Sequence, residues 1–580
     1  MPKINQSQLE IMRHSCGHLM AAAVQKLFPE TKFGIGPNIE NGFYYDFELP
    51  ATLTPEFLPK IKKEMKKMIG QNLPFIKKEM PVDEAIKLFK SINQPYKIEL
   101  LEEMKKQGEK SVSIYQTGDF IDLCRGPHLK STGEIGAFKL TKIAGAYWRG
   151  NEKNKMLTRI YGLAFSHEEE LNNHLKVLEE AEKRDHRNLG KELELFSFEE
   201  EIGAGLPLWH PKGAFLRHLI ENYLYKELNS SGYQWVVTPH IGNINLWKTS
   251  GHWNFYRENI YSPIKIDEEE FLLKPMNCPF HIKIYNSKIR SYKELPIRFA
   301  EFGTVYRYEK SGVLHGLTRV RGFTQDDAHI WCTLDQLPKE INNLLKDGLK
   351  ILRRFGFKDF NIFLSTRPEK FTGDPKHWDK AEESLKNALE KSKLNYQIDP
   401  GAGVFYGPKI DIKIKDSLGR EWQCTTIQVD FNLPEKFELN YINKEGKKEQ
   451  PIMIHRALLG SLERFIGVLI EHYAGAFPVW LAPIQVRVVP VGSKHIKASQ
   501  KLARELKEKD IRCEVDDLNE TVGYKVRKAE KQKIPYVLVI GDKEIDSKNL
   551  TVRIRGKKEM IKMSRKKFEE KIREEIEKKK

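Results

Sequence analysis

The pattern of apolar and polar positions divides the chain into stretches of different rhythm. Positions 8–28 read as a helix, and the run GFYYDFEL after it reads as strand. Lysine-rich helices are expected at 55–69 and 82–90, and the stretch closes with DLCRGPH and GAYWRG. Residues 1–166 are therefore expected to form one α/β domain. The segment HEEELNNHLKVLEEAEKRDHRNLGKE at 167–192 is charged with an apolar stripe, which predicts a connecting helix. Residues 193–480 mix strand-like runs (LPIRFAEFGTVYRYE, KIDIKIKD, EWQCTTIQVDF) with long helices. Hairpin-like turns between the strands predict a mainly antiparallel sheet. The tract FPVWLAP marks a boundary. Residues 484–580 alternate strands (IQVRVVPV, IRCEVDD, YVLVIG, LTVRIRG) with helices (IKASQKLARELKEK, VGYKVRKAEKQK), the pattern of a largely parallel sheet. The tail SRKKFEEKIREEIEKKK reads as a solvated helix.

Length agrees with this division. A chain of 580 residues is too long for one core, and at roughly 100–200 residues per domain three or four are expected. No apolar run approaches the ~20 residues of a membrane span, and the start MPKINQSQLE lacks an apolar export core. No membrane partner and no export are expected. Six scattered cysteines argue against a disulfide framework and for a reducing cytoplasm, and the absence of CxxC disfavours a zinc ribbon. Lysine plus arginine is 97 against 80 acidic residues, a formal charge of +17. That balance favours a polyanionic partner such as nucleic acid, although a lysine-rich composition alone gives the same number.

Two motifs pair histidine or cysteine at a spacing of four. RHSCGHLM carries His14 and His18, and DLCRGPHL carries Cys124 and His128. These four groups can be metal ligands, or they can act on a substrate directly. In the large unit, Arg307 follows EFGTVYR and is expected to project from a strand, and Arg464 lies where HRALLGSLERFIGVLIEHY passes from strand end to helix. Singly, each arginine reads as a surface or ion-pair residue; together they resemble a phosphate clamp. No GxxxxGK[ST] and no GxGxxG after a strand is present, which disfavours P-loop and Rossmann sites.

Longer stretches carry a resemblance that covers essentially the whole chain. LPLWHPKGAFLRHLIENYLYKELNSSGYQWVVTPHI resembles motif 1 of the class II aminoacyl-tRNA synthetases, a dimer-interface helix followed by a strand ending at Pro239. RFAEFGTVYRYEKSGVLHGLTRVRGFTQDDAH resembles motif 2, and HRALLGSLERFIGVLIEHY resembles motif 3. KPMNCPFH and FTQDDAHIWC narrow the likeness to the threonyl-tRNA synthetases. The resemblance implies an α+β multidomain chain: an antiparallel-sheet class II catalytic core at 193–480, an N-terminal α/β editing domain at 1–166, a linker helix at 167–192 and a C-terminal α/β anticodon-binding domain at 484–580. It implies a homodimer, threonine tRNA, ATP and threonine as partners, and magnesium with the ATP.

The family's roles map onto matching positions. Arg307 would hold the ATP α-phosphate and the attacking carboxylate, Arg319 and Arg464 the distal phosphates, with Glu309 in the same ATP site, and Phe323 would stack on adenine. Cys278, His329 and His455 match the family's zinc ligands; without the resemblance they would read as buried core residues. Such a set leaves a coordination position open, which threonine can fill through its amino and hydroxyl groups. Valine, lacking the hydroxyl, would be rejected strongly. Asp327 resembles the acceptor of the threonine hydroxyl, with Gln325 and Tyr406 as neighbours. His252 in SGHW resembles a proton relay for transfer to the tRNA ribose; the plainer reading is a pocket-lining histidine.

Serine also carries an amino group and a hydroxyl, and a missing methyl is worth only ~1–3 kcal/mol of discrimination. A second, hydrolytic site is therefore needed. RHSCGH, DLCRGPH and GAYWRG resemble the family's editing domain, with His14, His18, Cys124 and His128 in its site and Lys97 and Asp122 beside them. A related alanine-specific domain uses a similar set to bind zinc; in the threonine family these residues are expected to hydrolyse the ester without metal. Residues 484–580 resemble the anticodon-binding domain, with KVRKAEKQK toward the RNA backbone. Many family members carry a small ubiquitin-like domain before the editing domain; this chain begins almost at the HSCGH helix and is expected to lack it. Two competing readings are a paralogue that has lost activation and regulates through RNA binding, which the intact arginines and zinc ligands oppose, and a ligase for proline or serine, which the Cys278/His329/His455 set opposes.

Overall fold

The computed structural model describes residues 6–547 and 549–579. They fall into two compact units, one ending at Glu179 and one running from Glu180 onward.

In the first unit, helix α1 (Gln6–Leu27) is buried without a break from residue 15 to residue 24. It is a core helix, and it holds His14 and His18 one turn apart on one face. It packs on strand β1 (Gly42–Glu48) and helix α2 (Leu58–Gly70). Strand β2 (Ile76–Pro81) leads into α3 (Val82–Ser91) and α4 (Pro95–Lys106). Sequence reading missed α4, although Pro95 in its first turn is a helix-start signal. Strands β3 (Ser111–Thr117) and β4 (Phe120–Leu123) complete a three-stranded sheet with β2. Val82, Ala85 and Phe89 of α3, with Leu101 of α4, pack against Val112 and Ile114 of that sheet. Strands β5 (Ala137–Tyr147) and β6 (Met156–Phe165) join β1 in an antiparallel sheet of five strands.

The single helix expected over 167–192 is two helices, α5 (Glu168–Arg184) and α6 (His186–Glu192). The break is Asp185, whose ψ of 119° leaves the helical region. Its carboxylate caps α6 by accepting the Arg187 N–H at 2.8 Å.

In the second unit, α7 (Pro211–Ser230) precedes the short strand β7 (Gln234–Trp235), which ends earlier than the expected Pro239. Helix α8 (Cys278–Tyr285) follows, then β8 (Ile297–Tyr306) and β9 (Gly322–Cys332). Next come α9 (Leu337–Arg354), β10 (Phe360–Ser365), α10 (Pro375–Lys391), β11 (Gln397–Asp399), β12 (Lys409–Lys415) and β13 (Glu421–Asp430). Strand β14 (Ile452–Ser461) runs straight into α11 (Leu462–Tyr473). The eight-stranded sheet has the order β7-β8-β9-β14-β13-β12-β10-β11. Its six central strands are antiparallel, as expected, and only the edge pairs β7–β8 and β10–β11 are parallel. Leu344, Leu345 and Leu352 of α9 and Phe465 and Leu469 of α11 share one buried cluster with Ile330, Ile427 and Ile454 of the sheet.

The C-terminal part carries β15 (Val486–Pro490), α12 (Ile496–Lys507), β16 (Cys513–Val515), α13 (Val522–Lys531), β17 (Tyr536–Ile540), β18 (Asn549–Ile554), β19 (Met560–Ser564) and α14 (Arg565–Glu577). Its sheet, ordered β16-β15-β17-β18-β19, is mixed rather than largely parallel. The β15–β16 and β15–β17 pairs are parallel, with α12 connecting β15 to β16 and α13 connecting β16 to β17; β17–β18 and β18–β19 are antiparallel. The connection from Ile540 to Asn549 is too short for the crossover that a parallel neighbour needs.

Candidate functional site

Register builds the principal site. His329 of β9 lies directly opposite His455 of β14, and opposed residues in an antiparallel pair hold their Cβ atoms about 4.5–5.5 Å apart. Cys278, the first residue of α8, supplies a third donor. The three donor atoms lie within 4.8 Å of one another and all three residues are buried. The outer nitrogens of both imidazoles are already engaged. His329 Nδ1 is 2.8 Å from His281 Nδ1, and His281 Nε2 is 3.1 Å from Glu301 Oε2. His455 Nε2 is 2.8 Å from Asp430 Oδ2. Each imidazole thus keeps its other nitrogen for the cluster, the arrangement of an oriented metal ligand. Burial, with His281 and His455, pushes His329 well below its ordinary value, so it is neutral as a ligand must be. A thiol with two oriented imidazoles and an open side fits zinc.

That open side faces a cavity of about 340 Å³. Of the residues expected from sequence, His252, Cys278, Arg307, Gln325, Asp327, His329, Tyr406, His455 and Arg464 line it. Gln325, Asp327 and His329 alternate along β9 and share one face, with an irregularity between Gln325 and Asp327. Asp326 turns the other way, and its carboxylate accepts the N–H groups of Leu458, Leu459 and Gly460 at 2.8, 3.1 and 2.9 Å. Asp327 accepts Asn277 Nδ2 at 3.0 Å, and the Tyr406 hydroxyl donates to Gln428 at 2.8 Å.

Two guanidiniums enter the same cavity. Arg307, just past β8, donates from Nε to the Pro275 carbonyl at 3.2 Å and sits 5.2 Å over the Phe323 ring. Arg464 lies in the first turn of α11, its N–H held by Ser461 Oγ at 3.2 Å. Among the described residues neither makes an ion pair, and Asp327 is the carboxylate that lines the same hollow. Burial pushes Arg464 below its ordinary value, and Arg307 and Arg319 push the same way. Glu309, Arg319 and Phe323 are not in the lining. Arg319 is exposed and donates from Nε to Glu309 Oε2 at 3.1 Å, an ion pair that a bound anion would have to open. His252 is buried, with Nδ1 2.7 Å from Ser250 Oγ. Burial, with His455 and Arg307, pushes it down to about 3, so its imidazole is neutral.

Sequence reading missed His281, Glu301 and Asp430, which orient the ligands, and Tyr256, Lys409 and Gln428, which line the cavity. One of these carried a signal: His281 follows Cys278 by three on a helix.

The first unit holds a second cluster. His14, His18, Cys124 and His128 place their donor atoms within 4.8 Å of one another. Helix α1 supplies the first pair and the turn after β4 the second. Gly126 has φ of 72°, and a Cβ there would fall 2.3 Å from the Tyr115 hydroxyl, so glycine lets the turn fold under the thiol. Cys124 Sγ is 3.4 Å from both His14 Nε2 and His128 Nε2. Lys97 Nζ pairs with Asp122 Oδ1 at 2.6 Å, Tyr45 donates to Asp122 Oδ2 at 2.5 Å, and His18 Nε2 is 3.5 Å from the same oxygen. Tyr45, missed in the sequence, reaches this network from β1. Burial lowers all three imidazoles, with His14 and Lys97 adding to the effect on His18, and raises the Cys124 thiol to about 11. At neutral pH the cluster is therefore three neutral imidazoles and a protonated thiol.

Family models match three stretches of the chain. The model for the class II tRNA synthetase core domain (G, H, P, S and T) matches residues 261–473. That for an anticodon binding domain matches 485–575, and that for the threonyl and alanyl tRNA synthetase second additional domain matches 112–161. The threonine–tRNA ligase of Dehalococcoides mccartyi is 57% identical over 549 residues, covering 95% of this chain and 94% of that one. That of Sulfurihydrogenibium sp. is 53% identical over 579 residues, covering 99% and 90%. A solved structure described as the RNA binding domain of threonyl-tRNA synthetase from Cryptosporidium parvum matches with a TM-score of 0.65 at 40% identity, over 67% of this chain and 98% of that one. With relatives more than half identical to it over at least 95% of its length, the chain belongs to the threonine–tRNA ligase family.

Proposed function

We propose that the protein joins threonine to its tRNA and removes serine attached in error. The observation that carries this reading is the convergence of Arg307 and Arg464, both without an ion-pair partner among the described residues, on the cavity that holds Cys278, His329 and His455. ATP, entering with magnesium, places its α-phosphate at Arg307 and its distal phosphates at Arg464 and Arg319, the latter leaving Glu309. The adenine stacks on Phe323, with Glu309 beside it. The threonine carboxylate attacks the α-phosphate, diphosphate leaves, and fixed guanidiniums balance the charge that builds in the transition state. Zinc held by Cys278, His329 and His455 would supply an open Lewis-acid position for the threonine amino and hydroxyl groups. Asp327 accepts the hydroxyl proton, with Gln325 and Tyr406 shaping the pocket around it. A neutral His252 can take the proton of the tRNA ribose hydroxyl as the ester forms.

The domains follow the chain as 1–166 for editing, 167–192 as linker, 193–480 for catalysis and 484–580 for anticodon binding, acting as a cytoplasmic homodimer. In the editing domain His14, His18 and His128 are neutral and can accept a proton from the water that attacks the seryl ester; the ribose oxygen leaves and is reprotonated. Lys97, Asp122 and Cys124 hold the site together. We infer, from the resemblance to the editing domain of the threonine family, that the cluster works without metal. Elemental analysis of the full chain tests this: zinc near one per chain that falls to none in Cys278→Ala supports a single site in the catalytic domain. Zinc near two per chain, or one per chain that survives Cys278→Ala, overturns the metal-free editing cluster.

A further inference from the structure

His186 lies at the first turn of α6, fully buried, and the proposed reaction does not use it. One ring nitrogen reaches the turn that leads to Arg319, and the other reaches the far end of the helix whose first turn carries Arg464. Nε2 accepts the backbone N–H of Leu317 at 2.9 Å, at the apex of the turn 315–319 that ends in Arg319. Nδ1 lies 2.6 Å from Glu471 Oε1 near the end of α11, the helix that begins beside Arg464. Because Nε2 accepts from a backbone N–H, the ring proton sits on Nδ1 and is donated to Glu471. Both nitrogens are occupied, so the Asp185, His186 and Glu471 group has no imidazole lone pair open for a metal. The seat is close-fitting. Gly316, at φ of 46°, would put a Cβ 2.2 Å from His186 Nε2, and a Cβ on Gly467 of α11 would lie 3.2 Å from the Leu317 Cβ. The turn closes on itself through the His315 N–H to Arg319 carbonyl bond at 3.1 Å and the Arg319 N–H to His315 carbonyl bond at 3.2 Å. Fixing Leu317 therefore fixes where Arg319 starts.

We infer that His186 is a positioning residue for ATP: through Leu317 it holds the turn that presents Arg319 to the distal phosphates. The inference rests on the reading of Arg319 given above. A side chain of asparagine can replace the Nδ1 donor to Glu471 but not the Nε2 acceptor; glutamine can reach Leu317 but not Glu471. The test is threonine-dependent exchange between diphosphate and ATP in His186→Asn, His186→Gln and Arg319→Ala, with melting temperatures alongside. The expected result is a KM for ATP raised about tenfold in His186→Asn and in Arg319→Ala, close to wild type in His186→Gln, with the KM for threonine unchanged in all three. A normal KM for ATP in a folded His186→Asn, with Arg319→Ala impaired, overturns the inference alone. A normal KM for ATP in Arg319→Ala overturns the ATP role of Arg319 and this inference with it. If His186→Asn does not fold, Gly316→Ala carries the test, since its Cβ disturbs the same contact from the surface side. It should also raise the KM for ATP, and a wild-type value would overturn the inference.

Discussion

His281 touches no substrate, yet it sets the orientation of His329, and Glu301 sets His281 in turn. Losing such an outer partner weakens metal binding by about 10–100-fold. His281→Ala should therefore lose zinc to a competing chelator at concentrations where wild type keeps it, while the chain stays folded; retention equal to wild type would deny His281 an orienting role. His252 makes a different prediction. Its neutral imidazole sits on the cavity wall and bonds Ser250. His252→Ala should slow transfer to tRNA more than adenylate formation, measured as single-turnover charging against diphosphate exchange. Equal slowing would leave it a pocket-lining residue. These individual roles are where sequence reading depended most on the family resemblance. Cys278, His329 and His455 are far apart along the chain, and no local pattern marks them; the pairing of β9 with β14 creates the site. Asp430 and Tyr45 were missed because their roles lie in tertiary hydrogen bonds, which periodicity does not carry.

At the scale of elements, strong local signals were legible. The helix bearing His14 and His18, the passage from β14 into α11 and the antiparallel core of the large sheet all lie where the pattern placed them. The departures have local causes. Asp185 prefers to cap α6 rather than continue α5, and a charged, striped sequence does not reveal that choice. The C-terminal sheet turned antiparallel at β18 because the chain after β17 is too short to cross over. Elements also carry a prediction about pH. Glu48 at the end of β1 accepts from Tyr96 of α4, from Lys32 at 3.1 Å and from Lys155 at 2.9 Å. Burial alone would raise this carboxylate, but the donors outweigh it and hold it at about 2, below its ordinary 4.5. A depressed carboxylate stabilises the fold above pH 4.5 and loses that contribution as pH falls toward 2. The melting temperature of Glu48→Gln should sit below wild type at neutral pH and converge on it as pH falls below 4.5. A gap that stays constant with pH would contradict the account.

At the scale of the whole molecule, the two units carry two chemistries that selection of threonine requires. A site that demands a hydroxyl rejects valine, but a missing methyl is worth only ~1–3 kcal/mol against serine. Activation should therefore leak toward serine, and the His/Cys cluster of the first unit should remove what leaks. Replacing His14 or Lys97 should let seryl-tRNA accumulate while threonine activation stays at the wild-type rate; unchanged seryl-tRNA in a folded variant would remove the cluster from editing. The most direct test is amino-acid-dependent exchange of diphosphate into ATP by the intact protein, run across a panel of amino acids. The account predicts strong exchange with threonine, weaker exchange with serine and none with valine. Exchange with proline or valine but not threonine, or none with any amino acid, would contradict it.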